Sequence, residues 1–193
     1  MREVELKSVV DDPALRRSLL ERGGGRLVFA GQLTDYRYDH RDVDLAGRDH
    51  VLRLRVYDSD KGREGHIDWK GETRYEGGYK VREEISTGVS DPDAIAVILK
   101  KLGFAVIQPI EREIAQYELD GAIVRFEQYP KMDVLVEVEG SPDAIERAIT
   151  VMGLPRSGFT TGRLADFVAR YEARSGQTAA LTRADLPADS SKG

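Results

Sequence analysis

The 193-residue sequence contains no cysteine. Disulfides, thiolate metal sites and thiol nucleophiles are thereby excluded, and a reducing compartment fits the composition. Nor does any apolar run approach the roughly 20 residues needed to span a bilayer. The opening residues, MREVELKSVV, lack the apolar region of a secretory signal. The expectation is a soluble cytoplasmic protein with no membrane partner. Positive charge is not in excess: 29 Lys and Arg face 34 Asp and Glu, for a net charge of −5. Nucleic-acid phosphates call for net basic surfaces, so no specific nucleic-acid partner is expected. Histidine is scarce, and His40, His50 and His66 are scattered without spaced partners. Zinc sites normally take three or four N, S or O ligands, so none is indicated. The triple glycine at 23–25 is not followed by Gly-Lys-Ser/Thr, so it reads as a helix stop, not a P-loop.

What is present is charge, at 33% of residues beside 40% hydrophobic ones. That balance reads as one globular domain, residues 1–173, followed by a small, polar tail at 174–193 expected to be largely mobile. Alternating strands are expected at 2–10, 51–57, 65–70, 79–86 and 133–139, with further extended segments at 26–40, 105–119 and 122–129. Residues 41–50 read as a loop. Three helices carry the same punctuation: a capping Asp or Ser, a proline at the first turn and a terminal glycine. They are headed by Asp12-Pro13, by Asp91 or Ser90 before Pro92, and by Ser141-Pro142, and stopped by Gly23, Gly103 and Gly153. A fourth helix, about 161–173, aligns Leu164, Phe167, Val168 and Tyr171 in one apolar stripe.

The strands pair an ordinary apolar face with an unusual polar one. In VLRLRVY, Leu52, Leu54 and Val56 oppose Arg53, Arg55 and Tyr57; in HIDWK, Ile67 and Trp69 oppose His66, Asp68 and Lys70. In YKVREEIS, Lys80, Arg82, Glu84 and Ser86 share a face. In AIVRFEQ, Arg125 and Glu127 oppose Val124 and Phe126. Like charges recur two residues apart at Glu3/Glu5, Arg53/Arg55 and Glu137/Glu139, a spacing of roughly 7 Å along a strand. One reading is a set of solvated sheet faces. The other is a shared interior: a barrel whose apolar faces point outward under helices and whose charged faces line a wet tunnel. About eight strands suit a barrel with room for one ligand. Carboxylate pairs offer hard oxygen ligands for Mg²⁺ or Mn²⁺, and arginine and lysine offer donors for phosphate oxygens.

Glu3-Val4-Glu5-Leu6-Lys7 resembles the ExExK signature of the CYTH superfamily of triphosphate tunnel metalloenzymes. That group includes class IV adenylyl cyclases, thiamine triphosphatases and inorganic triphosphatases. The resemblance continues in order. TDYRYD (34–39) is similar to the family's T-D-x-Y-Y-D strand, with Arg37 in place of an aromatic. Leu52-Arg53-Leu54-Arg55 is similar to LRxR, Lys70 to the lysine strand, Arg82 and Glu84 to R-x-E, and Glu137-Val138-Glu139 to the terminal ExE. Departures are Glu127 where aspartate is usual, Asp133 in place of a glycine, and Ser86 in place of a frequent acid. Arg112 lies where a basic residue is expected.

The resemblance implies an α+β fold: an eight-stranded antiparallel barrel with a charged interior and flanking helices. It implies that Lys7, Arg53, Arg55, Lys70, Arg82, Arg112 and Arg125 hold a triphosphate. Glu3, Glu5, Glu127, Glu137 and Glu139 would hold one or two Mg²⁺ or Mn²⁺ ions, with Glu5, Lys7 and Glu84 serving the chemistry. The expected activity is metal-dependent hydrolysis of an inorganic or organic triphosphate such as tripolyphosphate or ATP. A class IV cyclase converting ATP to cyclic AMP and pyrophosphate is the alternative, and a non-catalytic binder of polyphosphate or nucleotide a third. A homodimer is compatible with this reading.

Overall fold

The computed structural model describes residues 2–40 and 44–187. Nine strands form one antiparallel sheet: β1 (Arg2–Val9), β2 (Arg26–His40), β3 (Val51–Ser59), β4 (Gly62–Lys70), β5 (Arg74–Glu76), β6 (Tyr79–Val89), β7 (Phe104–Leu119), β8 (Ala122–Gln128) and β9 (Leu135–Glu139). Their order is β1-β9-β8-β7-β2-β3-β4-β6-β5, and β1 also pairs with β6. That last pairing closes eight strands into a barrel, with the short β5 hung on β6. Closure removes sheet edges, and in eight strands it leaves an interior just wide enough for side chains and one small ligand.

Four helices are described: α1 (Pro13–Arg22), α2 (Pro92–Lys101), α3 (Pro142–Val151) and α4 (Leu164–Ser175). Asp12, Asp91 and Ser141 each accept a hydrogen bond from a first-turn N–H, as the capping residues predict, and each is followed by proline. The outer faces of β1, β9, β8 and β7 supply Leu6, Val136, Val138, Val124, Phe126 and Tyr117 to the main core, which α3 fills with Ala144, Ile145, Ala148 and Ile149. On the other side Tyr38, Leu54 and Val56 pack beneath Leu99 of α2. The core therefore lies outside the barrel, which frees the interior for charge.

One end of the interior is plugged. Phe167 of α4 packs on Ile110, Tyr129 and Leu135, with Leu164 beside them. Ile110 and Leu135 thus place apolar side chains at inward positions where the helix seals the barrel.

Several boundaries differ from the sequence reading. β3 and β4 run on to a hairpin in which Ser59 faces Gly62, absorbing residues that read as loop because they are polar. β6 continues to Val89 for the same reason. β9 begins at Leu135 and α4 at Leu164. The three-residue β5 is too short to leave a periodic signal. Of the tail expected to be mobile, residues 174–187 contact the barrel: Ala180 pairs with Lys131, Glu111 N–H donates to Leu181 O at 2.7 Å, and Thr182 is buried. Backbone bonding, invisible in composition, holds this stretch. Residues 41–43 of the expected loop and 188–193 of the tail lie outside the described residues. No described helix is long and apolar enough to cross a membrane.

Candidate functional site

Strand alternation sends nine cations and eight acids to the barrel interior. The cations are Lys7, Arg37, Arg53, Arg55, Lys70, Lys80, Arg82, Arg112 and Arg125; the acids are Glu3, Glu5, Asp35, Asp68, Glu84, Glu127, Glu137 and Glu139. Burying charges on this scale costs several kcal/mol for each unpaired ion, so the register has to bring opposites together. It does: Lys7 faces Glu137, Arg53 faces Asp68, Asp35 faces Arg55, Lys70 faces Glu84 and Arg125 faces Glu137.

Asp35 is the hub of the basic half. It lies 3.4 Å from Arg53, 3.5 Å from Arg55 and 3.2 Å from Arg112. Burial alone would raise its pKa, but these three guanidiniums hold it well below the ordinary carboxylate range. Arg53 also donates through Nε and Nη2 to Asp68 Oδ2, at 3.1 and 2.8 Å. Ser86 Oγ donates to the other oxygen of Asp68 at 2.5 Å. Arg112 Nε donates to Glu127 Oε1 at 2.9 Å, and Tyr129 donates its hydroxyl proton to Glu127 Oε2. Arg125 Nη1 donates to Glu137 Oε1 at 2.6 Å, while Lys7 pairs with Glu137 Oε2. Against the effect of burial, Lys7 and Arg125 keep the Glu137 pKa well below normal. Lys80 pairs with Glu5.

Around these groups lies a cavity of about 70 Å³, lined by Arg37, Arg53, Arg55, Lys70 and Arg112 among others and bounded at the plugged end by Leu164. Among the described residues, the buried Arg37 Nε and Arg112 Nη1 there have no hydrogen-bond partner, and Arg55 Nε has only the carboxylates of Asp35 and Asp68, each 3.5 Å away. Arg82 is held differently. Its guanidinium donates to the carbonyls of Gly71 and Asp49, anchoring the loops beside β5.

The opposite mouth is acidic. Carboxylate oxygens of Glu3, Glu84 and Glu139 all lie within 4.8 Å of one another. They border a second cavity, of about 430 Å³, which shares Arg55 with the tunnel. Lys70 bonds to Glu3 and lies 3.3 Å from Glu84. Burial, then the charges of Glu137 and Glu3, push the Glu139 pKa up to about 7. Burial and Glu5 likewise raise that of Glu3. Among the described residues, the buried Glu3 Oε2 has no hydrogen-bond partner. A hard oxygen donor set of mutually repelling acids with an orphaned oxygen fits a hard divalent cation, because a dication would relieve the repulsion and satisfy that oxygen.

The structure thus brings the sequence-predicted residues into one tunnel but divides the acids. Glu3 and Glu139 stand together with Glu84 at the mouth. Glu5, Glu127 and Glu137 are each engaged with cations deeper in. Sequence reading assigned no role to Asp35, Arg37, Asp68, Lys80 or Tyr129. Parity was the available signal: Asp68 shares a face with Lys70, Lys80 with Arg82, and Tyr129 with Glu127.

A solved structure from Vibrio parahaemolyticus, described as a putative adenylate cyclase, superposes with a TM-score of 0.72 at 17% identity, covering 86% of this chain and 97% of that one. A putative adenylyl cyclase from Hippeastrum, described as revealing a dominant triphosphatase activity, superposes with a TM-score of 0.59 at 15% identity, covering 96% and 99%. At these identities the likeness is one of fold. In sequence the chain is 26% identical over 141 residues to a protein of Methanocaldococcus jannaschii named as a putative adenylate cyclase, covering 73% of this chain and 78% of that one. The CYTH domain model matches residues 1–147, more than half of the chain. With the closed barrel and its charged tunnel already described, that match places the chain in the CYTH family.

Proposed function

We propose that the protein is a metal-dependent triphosphatase that hydrolyses a phosphoanhydride bond of a triphosphate held in the tunnel. The observation that carries this reading is the pairing of opposite unmet needs in one channel. Among the described residues, Arg37 Nε and Arg112 Nη1 are buried donors without a hydrogen-bond acceptor, and Glu3 Oε2 is a buried acceptor without a donor. A polyanion with a bound dication answers both.

In this reading Arg53, Arg55 and Arg112 clamp phosphate oxygens, since guanidinium forks match them in geometry and charge. Lys7, Lys70 and Arg125 add point charge and hold Glu137 and Glu3 in place. Arg82 contributes charge from the tunnel wall while fixing the loops at Gly71 and Asp49. Glu3, Glu84 and Glu139 would hold Mg²⁺ or Mn²⁺, and Glu5 and Glu137 set the field around them through Lys80 and Lys7. Bound there, such an ion would offset phosphate charge and acidify a coordinated water. Phosphoryl transfer asks the protein chiefly for positioning and charge neutralisation. The α4 plug of Phe167 and Leu164 supports both, because it keeps bulk water from one end of the channel.

A cyclase is the second reading. It is favoured by the 430 Å³ mouth cavity, within the range that takes organic ligands, and by the names of the archaeal and Vibrio relatives. The Hippeastrum protein, whose description pairs a cyclase name with triphosphatase activity, favours hydrolysis. Incubation with tripolyphosphate and with ATP in Mg²⁺ or Mn²⁺ separates the two. Orthophosphate is the expected product; cyclic AMP as the main product from ATP would overturn the proposal.

A further inference from the structure

Arg37 is the exception in the tunnel. Each of the other eight inward cations has a carboxylate oxygen within 4 Å, and Arg37 has none among the described residues. Its one hydrogen bond goes from Nη1 to Gln108 Oε1 at 3.1 Å, and its Nε is buried without a partner. Burial, then the neighbouring charge of Arg53, lowers its pKa, and the charge of Asp35 offsets them only in part. Guanidinium does not shed its proton in proteins, so the lowered value marks a charge held at a cost.

Register fixes its depth. Asp35 lies opposite Arg55, and Arg37 opposite Arg53. Arg55 borders the acidic mouth, so Arg37 stands one inward step beyond it, roughly 7 Å along the strand. It lines the same cavity as Arg53, Arg112 and Leu164 of α4. A phosphate chain entering past Glu3, Glu84 and Glu139 meets Arg55 first and Arg37 near the plugged end.

We propose that Arg37 is a specificity-determining residue that takes the terminal phosphate at the α4 end and selects three phosphates over two. This rests on the triphosphate reading of the tunnel. The anion supplies the close counter-charge that Arg37 lacks among the described residues, where Asp35 acts on it only from beyond 4 Å, whereas a shorter diphosphate held near Arg55 does not reach it.

The test is equilibrium binding to the full chain in EDTA, where metal-dependent hydrolysis does not proceed, with tripolyphosphate and pyrophosphate as probes. Arg37→Gln is expected to weaken tripolyphosphate binding about 10- to 100-fold, the effect of losing charge-assisted hydrogen bonds. Pyrophosphate binding should change less than about 3-fold, and Arg37→Lys should retain most of the tripolyphosphate affinity. Without ligand, Arg37→Gln should raise Tm, because it removes an uncompensated charge. An equal loss for both probes, no loss for either, or no tripolyphosphate binding by the wild type would overturn the proposal. So would a lower Tm in Arg37→Gln with rescue by lysine, which marks a structural arginine. A wild type that binds tripolyphosphate but never hydrolyses it refutes the triphosphatase reading and leaves the role of Arg37 decided by the binding data.

Discussion

At the scale of single residues, Glu139 ties structure to pH. Its pKa of about 7 stands above the ordinary value of 4.5, because burial and the charges of Glu137 and Glu3 disfavour the carboxylate. The folded state therefore binds its proton more tightly than the unfolded state does. Its stabilising contribution is full below about pH 4.5 and is lost as pH rises through about 7. Metal binding runs the other way, since the ligand must be deprotonated. The expected outcome is a metal-free Tm that falls between pH 5 and 8 and a Mn²⁺ affinity that climbs over the same interval. Thermal melts and Mn²⁺ calorimetry check both, and Glu139→Gln should flatten the two profiles together. These inward residues were legible as a face but not as pairs. Parity in HIDWK and YKVREEIS put Asp68 and Lys80 on the charged side, yet a strand does not state which neighbour lies across from it. Only the barrel register assigns Glu5 to Lys80, and only the folded barrel brings the carboxylates of Glu3, Glu84 and Glu139 together. Arg37 shows the same limit, since a deviation from a pattern does not reveal that its charge goes unpaired.

At the scale of elements, α4 does for the tunnel what α2 and α3 do for the outer core. Its apolar stripe was readable from the spacing of Leu164 and Phe167, but its target was not, because Ile110 and Leu135 come from strands far apart in sequence. Phe167 is 2% exposed and packs on both. Truncating a buried phenylalanine costs roughly 3–5 kcal/mol. Phe167→Ala should therefore lower Tm by several degrees. It should also cut triphosphate turnover more than a matched core truncation such as Ile149→Ala, because it unseals the tunnel. Equal losses of activity in the two variants would mean that α4 acts through stability alone. The three Pro-started helices were legible for a local reason: cap, proline and terminator fall within one short window. The extensions of β4 and β6 were not, because polar residues such as Arg63 and Glu64 read as loop until a partner strand fixes them.

At the scale of the whole molecule, the barrel inverts the usual division. Its apolar core lies between the outer sheet face and the helices, and nine cations nearly balance eight acids within. A tunnel so close to neutral has little net attraction for a polyanion. Protonation of Glu139 and the unpartnered donors of Arg37 and Arg112 would help, and the proposed dication at Glu3, Glu84 and Glu139 would supply the missing charge. The order of charged motifs along the chain made this architecture readable, since ExExK, LRxR and the terminal ExE each combine strand alternation with like-charge spacing. The balance itself was hidden, because Asp35 and Asp68 carry no such signature.

The central claim is that the acidic mouth and the basic interior act as one site through a metal. Calorimetric titration of tripolyphosphate into the protein, with and without Mn²⁺, tests it most directly. The account predicts a single site whose affinity rises at least about tenfold when Mn²⁺ is present, with the gain lost in Glu3→Gln. Equal affinity in both conditions, or a gain that survives Glu3→Gln, would contradict it.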